Sequence, residues 1–237
     1  MSSIAKFVKD RIAELPVDEV FTYDSFGQTA LVERRAVAKA LSRLVKSGEV
    51  EVLCRGQFYK PAKCKYGSLG LAEEKQIRSL LRGGYVSGAE AFNRIGLTTQ
   101  VPSVIEIAYP GVPYRKKVGS LKIQYIRSCV DKMPKNTELL VLLDALKEIG
   151  KIQDASPKRV ATFVADKIKK FNYSEINELI QLARSYRPRV RALLGAILES
   201  CGLERQSREL LATLNPLSSY SIGVKDLLPN LKKWGFR

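Results

Sequence analysis

Between Glu33 and Pro61 the chain reads ERRAVAKALSRLVKSGEVEVLCRGQFYKP, and its cations fall in a pattern that suits nucleic-acid chemistry. Arg35, Lys39, Ser42 and Lys46 recur at helical spacing, with Arg34 and Arg43 on their flanks. A guanidinium can form two hydrogen bonds with guanine O6 and N7, so Arg34, Arg35 and Lys39, in the first half of this segment, are candidate base readers. Ser42, Arg43 and Lys46 lie where phosphates would be met. Arg55, at the turn that follows, can reach a minor groove or a phosphate, and Lys60 and Lys63 are candidate backbone contacts. Thr22 and Tyr23 open a short helix whose hydroxyls and free amides could hold a phosphate. Against this, Glu33, Glu49 and Glu51 dilute the charge, and a cationic helix face can simply be solvated.

Other chemistries find less support. The chain has no His, which removes the commonest general base and the usual nucleophile triads. Neither GxxxxGK[ST] nor GxGxxG occurs. Cys54, Cys64, Cys129 and Cys201 are scattered without a CxxC, as expected of reduced thiols and not of a zinc site. Glu106 lies in SVIEIAYPG without the nearby Lys of a metal-dependent nuclease, so it reads as a strand residue. No catalytic residue, metal or cofactor is expected.

The overall charge is +16 over 237 residues, with a sequence pI near 9.7. Residues 1–65 carry 12 cations against 8 carboxylates, residues 66–130 carry 9 against 4, and residues 131–237 carry 19 against 12. The surplus is therefore distributed over a folded chain, as expected of a protein that meets a polyanion. Charges interrupt the N-terminal apolar positions, and Asp144 interrupts the strongest apolar run, ELLVLLDAL. A cytoplasmic protein with no membrane partner is expected.

The elements that must position these cations can be read from periodicity. Ile4, Phe7, Val8, Ile12 and Leu15 predict an amphipathic helix stopped by Pro16. A short helix follows near Thr22, ending by Gly27, and then a third over about Val32–Ser47. Val37, Leu41, Leu44 and Val45 mark its buried side, and Gly48 its end. EVEVLC and QFYK across Arg55–Gly56 predict a hairpin, with Phe58 and Tyr59 in the core. Helix, short helix, helix and hairpin is the order of a winged helix-turn-helix.

Pro61–Gly70 predicts a junction, dividing the chain into residues 1–65 and 66–237. Beyond it, residues 66–130 are expected to mix α and β. A helix runs from Leu71 to about Arg82, a Ser87/Glu90 capping box follows, and strands lie at SVIEIAY, YRKKVG and LKIQYIR. Residues 131–237 are expected to be mainly helical, with starts at Asn136, Ser156–Pro157, Ser174 and Pro188 and a last regular helix at ERQSRELLATL. Residues after Pro216 are expected to be loosely held. Arg184, Arg187, Arg189 and Arg191 form either a solvated patch or a second nucleic-acid contact. The fold class is thus α+β, a winged helix-turn-helix followed by a mixed and then mainly helical second domain.

LSRLVKSGEVEVLCRGQFYKP, YVSGAEAFNRIGLTTQVPSVIEIAYPG and YRPRVRALLGAILE together resemble the AbiEi-type antitoxins of bacterial toxin–antitoxin and abortive-infection (phage-defence) systems, over about Ser3–Gly202. The resemblance implies a winged-helix domain that represses its own operon by binding operator DNA. It also implies a second domain that counteracts a nucleotidyltransferase-like toxin, in a protein without catalysis. A monomer in solution, able to bind DNA cooperatively, is the expected state. An RNA-directed protein, either an RNA-binding antitoxin or an RNA-modifying enzyme using the basic second domain, is the alternative.

Overall fold

The computed structural model describes residues 3–222 and 227–237 and shows an α+β protein. It divides into two units, Met1–Arg82 with Lys117–Ser120, and Gly83–Lys116 with Leu121–Arg237. The boundary therefore falls later than the expected position after residue 65.

The first unit begins with α1 (Ile4–Glu14), whose N-terminus is capped by the Ser3 hydroxyl and whose buried side carries Val8 and Ile12. Strand β1 (Val20–Thr22) leads through a 3-10 turn (Tyr23–Phe26) into α2 (Gly27–Val32). The short helix expected near Thr22 is this 3-10 turn, capped by Thr22 and ended at Gly27, and α2 is a further helix that the sequence did not separate from it. Helix α3 (Arg34–Lys46) buries Val37, Ala40, Leu41 and Leu44 and packs against α1. Strands β2 (Glu51–Cys54) and β3 (Gln57–Tyr59) form the expected hairpin, and Gly56 supplies the positive φ of its turn. β1 pairs with the other edge of β3, giving the antiparallel order β1-β3-β2. Three residues were too few for β1 to be recognised by alternation.

Phe21, Phe26 and Phe58 join the helices' aliphatic side chains in one core. Tyr59 donates to Glu51 across the sheet, and burial together with that carboxylate pushes its phenol up to about 12. After β3 come a two-stranded ribbon, β4 (Ala62–Cys64) and β5 (Gly67–Leu69), and then α4 (Glu73–Ser79). Gln57 Nε2 donates to Ser79 O at 3.1 Å, tying α4 into the first unit.

In the second unit β6 (Tyr85–Ser87), α5 (Gly88–Arg94), β7 (Ile105–Tyr109), β8 (Tyr114–Val118, of which Lys117 and Val118 fall in the first unit) and β9 (Leu121–Arg127) precede a run of helices. The sheet order is β6-β7-β9-β8, with β6 antiparallel and β9 parallel to β7. Helices α6 (Glu138–Lys147), α7 (Pro157–Ile168), α8 (Tyr173–Ala183), α9 (Pro188–Ser200) and α10 (Glu204–Leu211) follow. α6 is buried from Leu139 through Leu146 because α5, β6, α7, α8 and α9 all pack on it. Leu193, Ala196 and Ile197 of α9 are core, as their spacing indicated.

Three local expectations are corrected. Ser87 does not cap α5; its hydroxyl is taken by Asp144. α8 is opened by Asn172, in a capping box with Glu175, and not by Ser174. After Pro216, Leu217, Ser219 and Ser221 are exposed, but the last segment is packed, with Leu227, Leu231, Trp234 and Phe236 buried; residues 223–226 lie outside the described residues. Trp234 rests on Gly195 of α9, while Glu199 accepts from Asn230, Lys233 and Trp234. These donors, Lys233 and Trp234 foremost, hold the Glu199 carboxyl below the usual carboxylate range.

Candidate nucleic-acid interface

α3 places its two faces as the spacing required. Arg34, Arg35, Lys39, Ser42, Arg43 and Lys46 are all exposed, opposite the buried stripe. Arg43 and Lys46 occupy the last turn, where the helix dipole favours cations. Arg34 and Arg35 occupy the first turn, where it does not, and that turn contains no acidic residue. Two guanidinium groups at the positive end of a helix raise the local positive potential, which the carboxylate of the N-cap residue Glu33 partly offsets. The Arg34 guanidinium lies 5.5 Å from the centre of the Tyr23 ring, which is itself set edge-on to Phe58 at 5.7 Å. Tyr23 therefore positions Arg34 through its ring.

The Thr22 hydroxyl is engaged locally, as a helix cap. Its Oγ1 accepts from Asp24 N at 3.2 Å while its own N–H donates to Ser25 Oγ, closing a capping box on the 3-10 turn. Lys60 also turns inward: its Nζ donates to Ala13 O at 3.0 Å and Leu15 O at 3.2 Å, satisfying carbonyls at the end of α1. Arg55 and Lys63 are exposed. Sequence reasoning missed Leu31 and Val32, which are 81% and 82% exposed immediately before the two arginines. Aliphatic side chains so placed can contact thymine methyl groups. Their position beside Arg34 and Arg35 was the available signal.

The four arginines around Pro188 are not equivalent. Arg184 pairs with Glu209 at 3.8 Å, and Arg189 donates to Lys147 O at 2.8 Å and Ser221 O at 3.3 Å. Arg191 is half-buried, with its Nε enclosed and unpartnered among the described residues. Arg187 and Arg189, joined by Arg127, Lys147 and Lys151, line a groove of about 590 Å³ in the second unit. The cations that share this groove come from distant parts of the chain, so no linear motif announced it.

Beside it lies a cavity of about 340 Å³ lined by Ser87, Glu106, Asp144 and Thr98 among others. Asp144 is 3% exposed. Its Oδ2 accepts from Tyr85 at 2.7 Å and Ser87 at 2.6 Å, its Oδ1 accepts from Tyr186 at 3.0 Å, and Lys147 Nζ lies 3.8 Å away. Burial, with the Asp144 charge next, pushes both phenols well above their ordinary range. The result is a satisfied internal network. Thr98 and Thr99 hold their loop by donating to Gln153 O and Asp154 Oδ2.

Burial pushes the Glu106 carboxyl up, Glu148 adds repulsion, and Lys147 partly opposes them. The folded state therefore binds this proton more tightly than the unfolded chain. This contribution is greatest below the ordinary value and lost as pH rises through the raised one. Glu106→Gln should melt close to wild type near pH 4 and above it near pH 8. Melting curves at the two values check this; no added advantage at pH 8 would contradict it.

The molecule is an α+β protein with an exposed cationic helix in its first unit and a sheet packed with helices in its second. Residues 8–176 match DUF6088, described as a family of unknown function, and the chain belongs to that family. No curated protein matches. Among solved structures, the Rv2827c protein of Mycobacterium tuberculosis is similar in fold, with a TM-score of 0.52 and 15% identity, over 91% of this chain and 83% of that one. No helix among the described residues is long and apolar enough to cross a membrane.

Proposed function

We propose that this protein is a cytoplasmic antitoxin and transcriptional autorepressor that reads operator DNA with a winged helix-turn-helix. The observation that carries the reading is α3, an anchored helix with an exposed face of Arg34, Arg35, Lys39, Ser42, Arg43 and Lys46. The order α1, β1, α2, α3, β2, β3 and the sheet order β1-β3-β2 support it, because that arrangement presents one helix to a major groove and a hairpin to neighbouring backbone. Leu31 and Val32 complete the reading surface, and Tyr23 orients Arg34.

The second unit counteracts a nucleotidyltransferase-like toxin without catalysis by this chain. This assignment follows the AbiEi resemblance. Its groove at Arg187 supplies a second anion-binding surface, and that same groove favours an RNA-directed protein as the second reading.

One experiment with two arms tests the proposal. In the first, the full chain is titrated with its own upstream DNA, scrambled duplex and structured RNA across a salt series. Tight, sequence-dependent DNA binding is expected; preference for RNA would overturn the operator reading. Within this arm, Arg35→Ala should reduce base discrimination by about 1–3 kcal/mol, whereas Lys46→Ala should weaken all duplexes alike. In the second arm, co-expression of the chain should restore growth to cells carrying the toxin gene of the same operon. Unrelieved arrest would overturn the antitoxin reading.

A further inference from the structure

The ribbon β4–β5 has no part in either core. Ala62 pairs with Leu69, Lys63 with Ser68 and Cys64 with Gly67, and every residue from Lys63 to Gly70 is exposed. None of its side chains belongs to either buried cluster. A two-stranded ribbon of three residue pairs is marginal in water by itself, so its packing gives it no evident reason to be there.

Its chemistry is one-sided. No Asp or Glu occurs between Glu51 and Glu73, while Arg55, Lys60, Lys63 and Lys65 do. Lys60 is held by α1, which leaves Lys63 and Lys65 as the ribbon's exposed cations. Tyr66, at the tip, is 98% exposed. An aromatic hydroxyl, two ammonium groups and Ser68 on a narrow two-stranded element form a surface complementary to phosphates. A two-stranded ribbon is also narrow enough to enter a major groove.

We infer that the β4–β5 ribbon is a second DNA-binding element of the first unit, with Lys63, Lys65 and Tyr66 contacting the backbone of duplex DNA. The inference rests on the proposed operator reading and adds to it a contact outside the helix and hairpin. The ribbon contributes affinity with no base preference, because its groups are those that meet phosphates.

The test uses the full chain and a triple variant, Lys63→Gln, Lys65→Gln and Tyr66→Ser, titrated with the upstream DNA and with scrambled duplex from low to moderate salt. An unchanged melting curve establishes that the variant is folded. The variant should bind both duplexes roughly tenfold or more weakly. The slope of log affinity against log salt should become shallower by about 2, and the ratio between the duplexes should persist. Unchanged affinity and slope would overturn the ribbon's role while leaving the operator reading intact. A wild-type chain that binds no DNA would overturn both, and loss of the ratio with the slope retained would overturn a backbone contact.

Discussion

Asp144→Ala should lower stability by about 3–5 kcal/mol, the summed cost of leaving several buried hydroxyls without a charged acceptor, and lower Tm on the order of 10 °C. The carboxylate accepts from Tyr85, Ser87 and Tyr186, drawn from β6 and from the turn before α9. Removing it leaves three buried hydroxyls without their acceptor and Lys147 without its nearest carboxylate. Asp144→Asn keeps the shape and one acceptor, so it should cost less than half as much. Tyr85→Phe should be milder again, because it removes one donor and strands no other group. Denaturant melts of the three variants check the ordering. Equal small losses would mean that water replaces the carboxylate.

The second large effect runs against helix propensity. Gly195 lies within α9, where Gly→Ala ordinarily stabilises by about 1 kcal/mol. Here a Cβ would stand 2.1 and 2.2 Å from two ring carbons of Trp234. Helix backbone cannot yield, so the indole must leave its seat, and its bond to Glu199 Oε2 at 2.8 Å is lost with it. Gly195→Ala should therefore destabilise on the order of 3 kcal/mol, comparable to losing a buried Trp. Trp234 is the chain's single Trp and is 2% exposed, so its fluorescence should shift to the red in the folded variant. Trp234→Ala alone should cost a similar amount, and adding Gly195→Ala to it should cost little further. An unshifted spectrum with raised stability would show that the ring is not seated there.

Both effects concern residues that looked ordinary in the linear chain. Asp144 stood out only as an interruption in ELLVLLDAL, and Gly195 only as a glycine inside a helical pattern. By contrast, α3 was legible almost to its ends, because thirteen residues of strict periodicity separate a buried stripe from a cationic face. The hairpin after it was legible from Arg55–Gly56. Strand β1 and the ribbon were not, since three-residue strands carry too little alternation and the ribbon has no apolar face to alternate. Ser87 illustrates a competition: its sequence position suits a helix cap, but the Asp144 carboxylate accepts its hydroxyl at 2.6 Å instead.

The candidate site divides in the same way. Arg34, Arg35, Lys39, Ser42, Arg43 and Lys46 share one exposed face because the 3.6-residue repeat alone puts them there. Thr22 and Lys60 look equally available in the chain, yet one closes a 3-10 turn and the other satisfies carbonyls of α1, forty-five and forty-seven residues away. The sequence by itself determined the periodic helices, the cationic face of α3 and the basic balance, because each depends on spacing and composition. Only the tertiary structure decided which cations remain available, that Asp144 joins β6 and the turn before α9 to α6, and that Trp234 needs Gly195. Those outcomes depend on which groups meet when distant segments pack, and local spacing carries no record of that.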